Sequence, residues 1–226
     1  MTNKLFLSGG GDIEISYSFD RLFFDSLPQN AHILYIPVAM ATTTIKKEAC
    51  FDWFSKLISR HSNSNRYLDF TMWNDGDVLP NLHNYDAVYV GGGNTYRLLV
   101  VLEKSGMLDA LGKYIRNGGV YYGGSAGAVI AGKSLRTVEE ENSENYSKHD
   151  GMNLIGNLSV FPHFSDSEEK RGVIRTICGS YALTIAALPE NSGLIIDERG
   201  ISVYGNMYLY EQEKKTILYT SGQIVK

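Results

Sequence analysis

Short apolar runs alternate along this chain with amphipathic stretches, and this alternation is the feature that most limits the folds open to it. Strands that alternate with helices are typical of βαβ units, so we expect an α/β fold built on a mostly parallel sheet. The apolar runs predict strands over Lys4–Ser8, Ala31–Val38, Arg66–Met72, Asp86–Val90, Val120–Tyr122, Leu158–Phe161 and Thr184–Leu188. The amphipathic stretches predict helices over Ser16–Ser26, Thr44–Arg60, Thr95–Leu102 and Leu108–Arg116, and a capping box at Ser165 and Glu168 predicts one more, to about Cys178.

The pattern changes from Ile195 onward, where turn signals separate short strands. Glu198-Arg199-Gly200 and Tyr204-Gly205-Asn206 are two such signals. They predict antiparallel strands added to the edge of the same sheet. No Pro- or Ser-rich linker divides the 226 residues, so one α/β domain over 1–226 is expected.

Composition excludes several classes of protein. The formal net charge is −4, without the basic excess that a nucleic-acid partner requires. No stretch approaches the ~20 apolar residues that cross a bilayer, and the first apolar run is too short for a signal peptide. The two cysteines, Cys50 and Cys178, lack metal-ligand spacing. We therefore expect buried, reduced thiols in a cytoplasmic protein with no nucleic-acid or membrane partner.

Three chemically useful side chains follow predicted strands. Ser125 comes after Val120–Tyr122, His163 after Leu158–Phe161 and Glu190 after Thr184–Leu188. Ligands of doubly wound sheets bind beyond the carboxyl ends of the strands. A hydroxyl, an imidazole and a carboxylate are therefore expected on the same rim of one sheet.

Residues 123–127 read Gly-Gly-Ser-Ala-Gly and fit the G-x-S-x-G pattern of a nucleophile elbow. Side chains two residues before and two residues after the serine would collide in this sharp turn, so glycine is needed at Gly123 and Gly127. The turn lifts the Ser125 hydroxyl out of the sheet and directs the backbone N–H of Ala126 at a developing oxyanion.

A serine hydroxyl needs a base, and the base needs a partner that orients it. Of the five histidines, only His163 combines a strand-end position with apolar neighbours. Two carboxylates compete for the third role. Glu190 lies at a strand end, whereas Glu140 lies in an acidic loop after the elbow's helix. Position favours Glu190, and both remain candidates.

The triple glycine Gly91–Gly93 permits a close backbone approach to a ligand. The Gly93 N–H is a candidate second oxyanion donor, and Gly92, Asn94 and Ala126 join it as candidate oxyanion and substrate-binding residues. The other interpretation is a tight turn in which Asn94 or Thr95 is the N-cap of the next helix. Both interpretations are compatible.

A second motif favours a different function. Residues Gly127–Ser134 match the phosphate-binding pattern G-x-x-x-x-G-K-[ST], and Asp197 could serve the magnesium side. Against this, the bulky Val129 and Ile130 occupy the part of the loop that should wrap a phosphate. A nucleotide-binding protein is therefore one alternative, and a non-catalytic binding module on the same scaffold is another.

The chain resembles the peptidase E (aspartyl dipeptidase) family, to which cyanophycinases are more distantly related. The resemblance covers roughly residues 88–191. It is carried by Val90-Gly-Gly-Gly-Asn-Thr95, Gly123-Gly-Ser-Ala-Gly-Ala128, Leu135-Arg-Thr137, Pro162-His-Phe164 and Leu188-Pro-Glu190. The resemblance implies a flavodoxin-like sheet similar to that of class I glutamine amidotransferases, with serine in place of their cysteine.

The resemblance also implies a function: a metal-free serine peptidase, without a cofactor, that acts on short peptides, with dipeptides bearing N-terminal aspartate favoured in the family. By motif, Ser125 is the nucleophile and His163 the base, while the family's two acid-bearing stretches place an acid at Glu140 and at Glu190. A monomer or a homodimer is expected. The chain departs from the family at Gly124, where peptidase E has a large aromatic residue, and in the Ser-Gly-Gly-Gly that ends the first strand.

Overall fold

The fold is described by a computed structural model that covers residues 4–41, 45–212 and 216–225. Six helices are described: α1 (Ile13–Asp25), α2 (Lys47–His61), α3 (Thr95–Lys104), α4 (Met107–Arg116), α5 (Ala126–Ala131) and α6 (Glu168–Tyr181), with a short 3-10 turn at Leu82–Asn84. The strands are β1 (Lys4–Ser8), β2 (Asn30–Ile36), β3 (Tyr67–Met72), β4 (Ala87–Val90), β5 (Val120–Gly124), β6 (Leu158–Phe161), β7 (Thr184–Ala187), β8 (Gly193–Asp197), β9 (Gly200–Tyr204), β10 (Asn206–Tyr210), β11 (Ile217–Thr220) and β12 (Ile224–Val225).

The larger sheet has eight strands in the described parts of the chain, in the order β12-β9-β8-β1-β5-β4-β2-β3. The five strands from β1 to β3 in this order are parallel, while β8, β9 and β12 are antiparallel to their neighbours. This arrangement confirms the predicted α/β fold with a mostly parallel sheet. It also confirms an antiparallel addition near the C-terminus.

The prediction of one sheet is wrong, because β6 and β7 belong to a second sheet of order β11-β10-β7-β6. Both sides of β1 are occupied, by β5 and by β8, so β6 and β7 cannot join the larger sheet beside β1. They pair with each other in parallel instead, and β10 pairs with β7.

The two sheets meet at the carboxyl end of β1. Ser8, the last residue of β1, lies opposite Gly124 of β5. The next residue, Gly9, accepts a hydrogen bond from the N–H of His163 at 2.8 Å and donates one to the carbonyl of Ser192 at 2.9 Å. The carboxyl ends of β5, β6 and β7 are thereby brought to one place.

Two predicted helix starts differ by two or more residues from those in the structure, and a third lies outside the described residues. Helix α1 begins three residues before Ser16, because the Asp12 side chain accepts the N–H groups of Glu14 and Ile15 at 2.9 Å and caps the helix there. Helix α6 is capped by Ser167 rather than Ser165, so the predicted capping box is wrong. The predicted start of α2 at Thr44 lies outside the described residues.

Alternating side chains of the central strands fill two cores on opposite faces of the larger sheet. On β5, Tyr121 packs in the core beneath α3 and α4, whereas Tyr122 packs in the core beneath α1 and α2 and stacks on Tyr89 at 4.2 Å. Both cysteines are free and buried, as expected. In the described ranges, no helix has the length and apolar content needed to span a membrane.

Candidate active site

Ser125 occupies a sharp turn between β5 and α5, with φ 48° and ψ −105°. This backbone conformation is rare for a residue with a side chain and is typical of strained functional turns. A Cβ on Gly123 would lie 2.6 Å from the backbone of Gly127, and a Cβ on Gly127 would lie 2.6 Å from the Val90 carbonyl oxygen. Glycine is therefore required on both sides of the serine, as the sequence pattern predicted, and the clashes that a side chain would cause are with backbone atoms.

The His163 imidazole lies against the Ser125 hydroxyl, with 2.8 Å between Nε2 and Oγ. His163 itself has φ 52° and is held by its backbone bond to Gly9. A Cβ on Gly10 would lie only 2.3 Å from Cε1 of the imidazole. The glycines after β1 thus make room for His163, a role that sequence reasoning missed although the glycine run itself was visible.

The Glu190 carboxylate accepts a hydrogen bond from the other ring nitrogen of His163, with 2.9 Å between Oε1 and Nδ1. Glu190 reaches this position because it follows β7, which pairs in parallel with the strand that precedes His163. Hydroxyl, imidazole and carboxylate therefore form a continuous hydrogen-bonded series. Both distances are within the range for a nucleophile, its base and the group that orients the base.

Glu140, the other candidate, makes a different contact. Its carboxylate accepts the hydroxyl of Thr95 at 3.3 Å, and no hydrogen bond joins it to His163 among the described residues. Removal of water from around the carboxylate raises the pKa of Glu140. It borders a cavity of about 280 Å³ that also touches His163 and Thr137, whose buried hydroxyl has no hydrogen-bond partner in the described ranges.

Backbone N–H groups gather beside the Ser125 hydroxyl. A Cβ on Gly92 would lie 3.2 Å from Cβ of Ser125 and 3.7 Å from its Oγ, so the glycine turn runs against the serine. The N–H groups of Gly92 and Gly93 have no backbone acceptor in the described part of the chain. Ala126 is the first residue of α5, so its N–H has no intrahelical acceptor. These three N–H groups are available to a ligand oxygen.

Asn94 is the N-cap of α3, one of the two roles considered from the sequence. Its side-chain oxygen accepts the N–H of Arg97 at 2.9 Å, and its amide nitrogen donates to the carbonyl of Glu141 at 3.0 Å. Asn94 therefore shapes the site by starting α3 and by holding the acidic loop that carries Glu140.

The nucleotide-binding alternative is wrong. Residues 126–131 form helix α5 and are buried, so the backbone N–H groups that should wrap a phosphate lie inside a helix. Lys133 donates to the side chain of Asn157 at 3.2 Å, and Asp197 is paired with Arg199 at 2.6 Å. Across the described residues, no group of three or more His, Cys, Asp or Glu side chains could hold a metal ion.

A cavity of about 170 Å³ opens beside Ser125 and His163, on the face of the sheet beneath α1 and α2. Behind its wall, the Asp20 carboxylate accepts the hydroxyl of Ser16 at 2.6 Å and the hydroxyl of Tyr122. Asp20 is only 1% exposed, and burial raises the pKa of its carboxyl to about 6. Sequence reasoning missed this carboxylate, since an isolated Asp in an amphipathic helix gives no signal of burial.

Comparison with known proteins shows that the chain matches one family. The model of peptidase family S51 matches residues 5–204, which include Ser125, His163 and Glu190. A curated peptidase E of Streptomyces coelicolor is 32% identical over 143 residues, which cover 63% of this chain and 55% of that protein. The chain thus spans about half the length of this relative. A peptidase E of Escherichia coli K12 is 27% identical over 156 residues, 65% of this chain and 68% of that protein.

Two solved structures share the fold. A protein of Listeria monocytogenes EGD-e, described as a candidate peptidase E, superposes with a TM-score of 0.67 at 21% identity and covers 90% of this chain and 98% of its own. A peptidase from an acI-B1 actinobacterium superposes with a TM-score of 0.68 at 17% identity and covers 99% of this chain and 96% of its own. At these identities the two structures support the fold alone.

Proposed function

Because this chain belongs to peptidase family S51, we propose that it is a serine-type peptidase that hydrolyses dipeptides and other short peptides. The observation that carries the proposal is the hydrogen-bonded series from Ser125 through His163 to Glu190. Geometry and roles, rather than sequence position, define a catalytic triad.

In this mechanism Ser125 Oγ attacks the peptide carbonyl carbon while His163 Nε2 takes the hydroxyl proton. Glu190 holds the imidazole with Nδ1–H directed at the carboxylate and stabilises the imidazolium that forms. Collapse of the tetrahedral intermediate breaks the C–N bond, and His163 returns its proton to the leaving amine. Water then attacks the acyl-enzyme with His163 as base, which releases the acid and restores the serine.

The oxyanion of each tetrahedral intermediate is assigned to the free N–H groups beside Ser125. Gly93 and Ala126 are the proposed donors, with Gly92 adjacent to them. A donor that points at the developing charge contributes roughly 2.7–4 kcal/mol to the transition state. The strained turn at Ser125 keeps the nucleophile and the Ala126 N–H on the same side of the scissile carbonyl.

The size of the site supports short substrates. Two cavities meet at His163, one of about 170 Å³ beside Ser125 and one of about 280 Å³ beside Glu140. In the proposed mechanism, the two residues of a dipeptide occupy one cavity on each side of the scissile bond.

A serine-reactive phosphonate tests the proposal directly. We expect stoichiometric labelling of the protein at Ser125 and loss of both labelling and peptide turnover in Ser125→Ala. The matched control is Ser180→Ala, which alters an exposed serine of α6 and should change neither. A folded wild-type protein that neither reacts with the probe nor cleaves peptides would instead be a non-catalytic binding module on this scaffold.

A further inference from the structure

One part of the wall of the cavity beside Ser125 is formed by uncharged, bulky side chains, whereas serines and glycines form most of the rest. The bulky residues of this wall are Met40, Trp53, Tyr89 and Tyr122, and Gly124 also lines the cavity. Tyr89 and Tyr122 are stacked and buried in the core, so this part of the wall is rigid. Aromatic walls favour ring-bearing ligands through edge-to-face and offset contacts, and the methionine thioether adapts to an aromatic edge.

The volume of this cavity suits one ring. It measures about 170 Å³, which is close to the roughly 150 Å³ of an apolar protein cavity that accepts benzene. A Cβ on Gly124 would meet nothing closer than Cε1 of Tyr122 at 3.6 Å. Gly124 lines the cavity, and the absence of a side chain there leaves that space open.

The charge of this region opposes an anionic ligand. Among the described residues, no Lys or Arg lines the cavity. Immediately behind Ser16 and Tyr122, the Asp20 carboxylate is satisfied by two hydroxyls and by no cation. An acidic side chain that entered would lose its hydration without gaining a counter-charge and would face the buried carboxylate.

The position of the cavity determines which part of a peptide it receives. It is bounded by Ser125 and by the oxyanion turn Gly91–Gly93. In the acyl residue, the carbonyl carbon bonds to Ser125 Oγ and the carbonyl oxygen lies at the oxyanion turn. The side chain of this residue is only a few bonds from that carbon, so it lies close to Ser125 and to the turn. The leaving residue lies on the other side of the scissile bond, toward the cavity beside Glu140.

We propose, resting on the peptidase function proposed above, that this cavity binds the side chain of the acyl residue and selects an uncharged aromatic or large aliphatic side chain over an acidic one. In a dipeptide the acyl residue is the N-terminal one. The preferred substrates are then dipeptides that begin with residues such as phenylalanine or leucine. The resemblance to peptidase E had implied an N-terminal aspartate instead.

The test is a comparison of Phe-Ala, Leu-Ala and Asp-Ala as substrates of the wild-type protein. We expect kcat/KM for Phe-Ala to exceed that for Asp-Ala by at least about tenfold. Met40→Arg places a cation at the cavity and should raise the relative kcat/KM for Asp-Ala. The matched control Val78→Arg adds the same charge at a position that is 89% exposed and should leave the ratio unchanged.

Binding of the same dipeptides to Ser125→Ala, measured by calorimetry, separates this inference from the proposed function. If the wild type cleaves no peptide, the proposed function fails, while the binding order still tests the cavity. Tighter binding or faster cleavage of Asp-Ala would overturn the inference, as would the absence of binding by all three dipeptides. If Met40→Arg leaves the ratio of kcat/KM for Asp-Ala to kcat/KM for Phe-Ala unchanged, this cavity does not select the side chain.

Discussion

Glu190 Oε1 lies 2.9 Å from Nδ1 of His163, although 27 residues and the whole of α6 separate the two in the chain. The contact exists because β6 and β7 are parallel neighbours that end at the same edge. A carboxylate at this nitrogen leaves the opposite nitrogen, Nε2, as the acceptor for the Ser125 proton.

Glu190→Gln should lower kcat by about 10⁴-fold, because an amide can hold the wrong imidazole tautomer and cannot stabilise the imidazolium. Glu140→Gln is the matched control, since it alters the carboxylate that contacts Thr95 instead of His163, and it should lower kcat far less. Steady-state turnover of the preferred dipeptide, with circular dichroism to verify folding, measures both. Equal losses in the two variants would contradict the assignment of Glu190.

Gly10→Ala should lower turnover by about 100-fold or more. The new Cβ would lie 2.3 Å from Cε1 of His163, in a backbone with φ 103° that favours glycine, so the imidazole must move away from Ser125. A displacement of about 1 Å costs on the order of 100-fold. Gly172→Ala is the control: nothing lies within 4 Å of that position in α6, so activity should remain and helix stability should rise slightly. Full activity in Gly10→Ala would show that His163 is not confined by this glycine.

Gly93→Ala should lower kcat by roughly 10²–10³-fold, which is the effect of losing one oxyanion donor. A Cβ at this position would lie 2.4 Å from the backbone carbonyl of Ala39, and φ is 126°, so the turn must shift its N–H groups. Pre-steady-state acylation of the variant measures the effect on the chemical step. Acylation at the wild-type rate would remove Gly93 from the proposed oxyanion hole.

Asp20→Asn should stabilise the protein at alkaline pH and have little effect near pH 4. Burial raises the pKa of Asp20 from 3.8 to about 6 in the folded protein. The folded state therefore binds the proton more tightly than the unfolded state, and wild-type stability falls as the pH rises through this window. Above pH 7 this ionisation lowers the free energy of unfolding of the wild type by at most about 3 kcal/mol.

The asparagine should fit without rearrangement, because the Ser16 hydroxyl also lies 2.8 Å from the Asp12 carbonyl and can accept from the new amide. Urea unfolding of wild type and variant at pH 4.5 and pH 8 measures the effect. Asp75→Asn, on an exposed turn, is the control and should follow the wild-type pH dependence. If wild type and Asp20→Asn differ by the same free energy of unfolding at pH 4.5 and at pH 8, burial does not destabilise the ionised Asp20 carboxylate.

Local rules explain which parts of the site were predictable. The turn at Ser125 places its glycines at fixed positions within five residues, so this spacing is visible in the sequence. His163 and Glu190 each follow a recognisable apolar strand. Their common location then follows from the rule that parallel strands end at one edge.

Contacts between distant segments were not predictable. The pairing of β8 with β1, which keeps β6 and β7 from joining the larger sheet beside β1, connects strands about 190 residues apart in the chain. The hydroxyl of Tyr122 reaches Asp20 across 102 residues, and no sequence pattern reports such a pairing. The fit of Gly10 against His163 likewise depends on how the two sheets meet.

The junction of the two sheets has a consequence for how the protein loses activity. The proposed nucleophile, Ser125, follows a strand of the larger sheet, whereas the proposed base and orienting acid follow strands of the smaller sheet. The N–H of His163 donates to the carbonyl of Gly9 where the two sheets meet. A displacement of one sheet against the other would separate Ser125 from His163 and abolish the proposed activity. Peptide turnover should therefore respond to a displacement of the two sheets. If the sheets separate before they unfold, turnover is lost at a lower temperature or urea concentration than the circular dichroism signal.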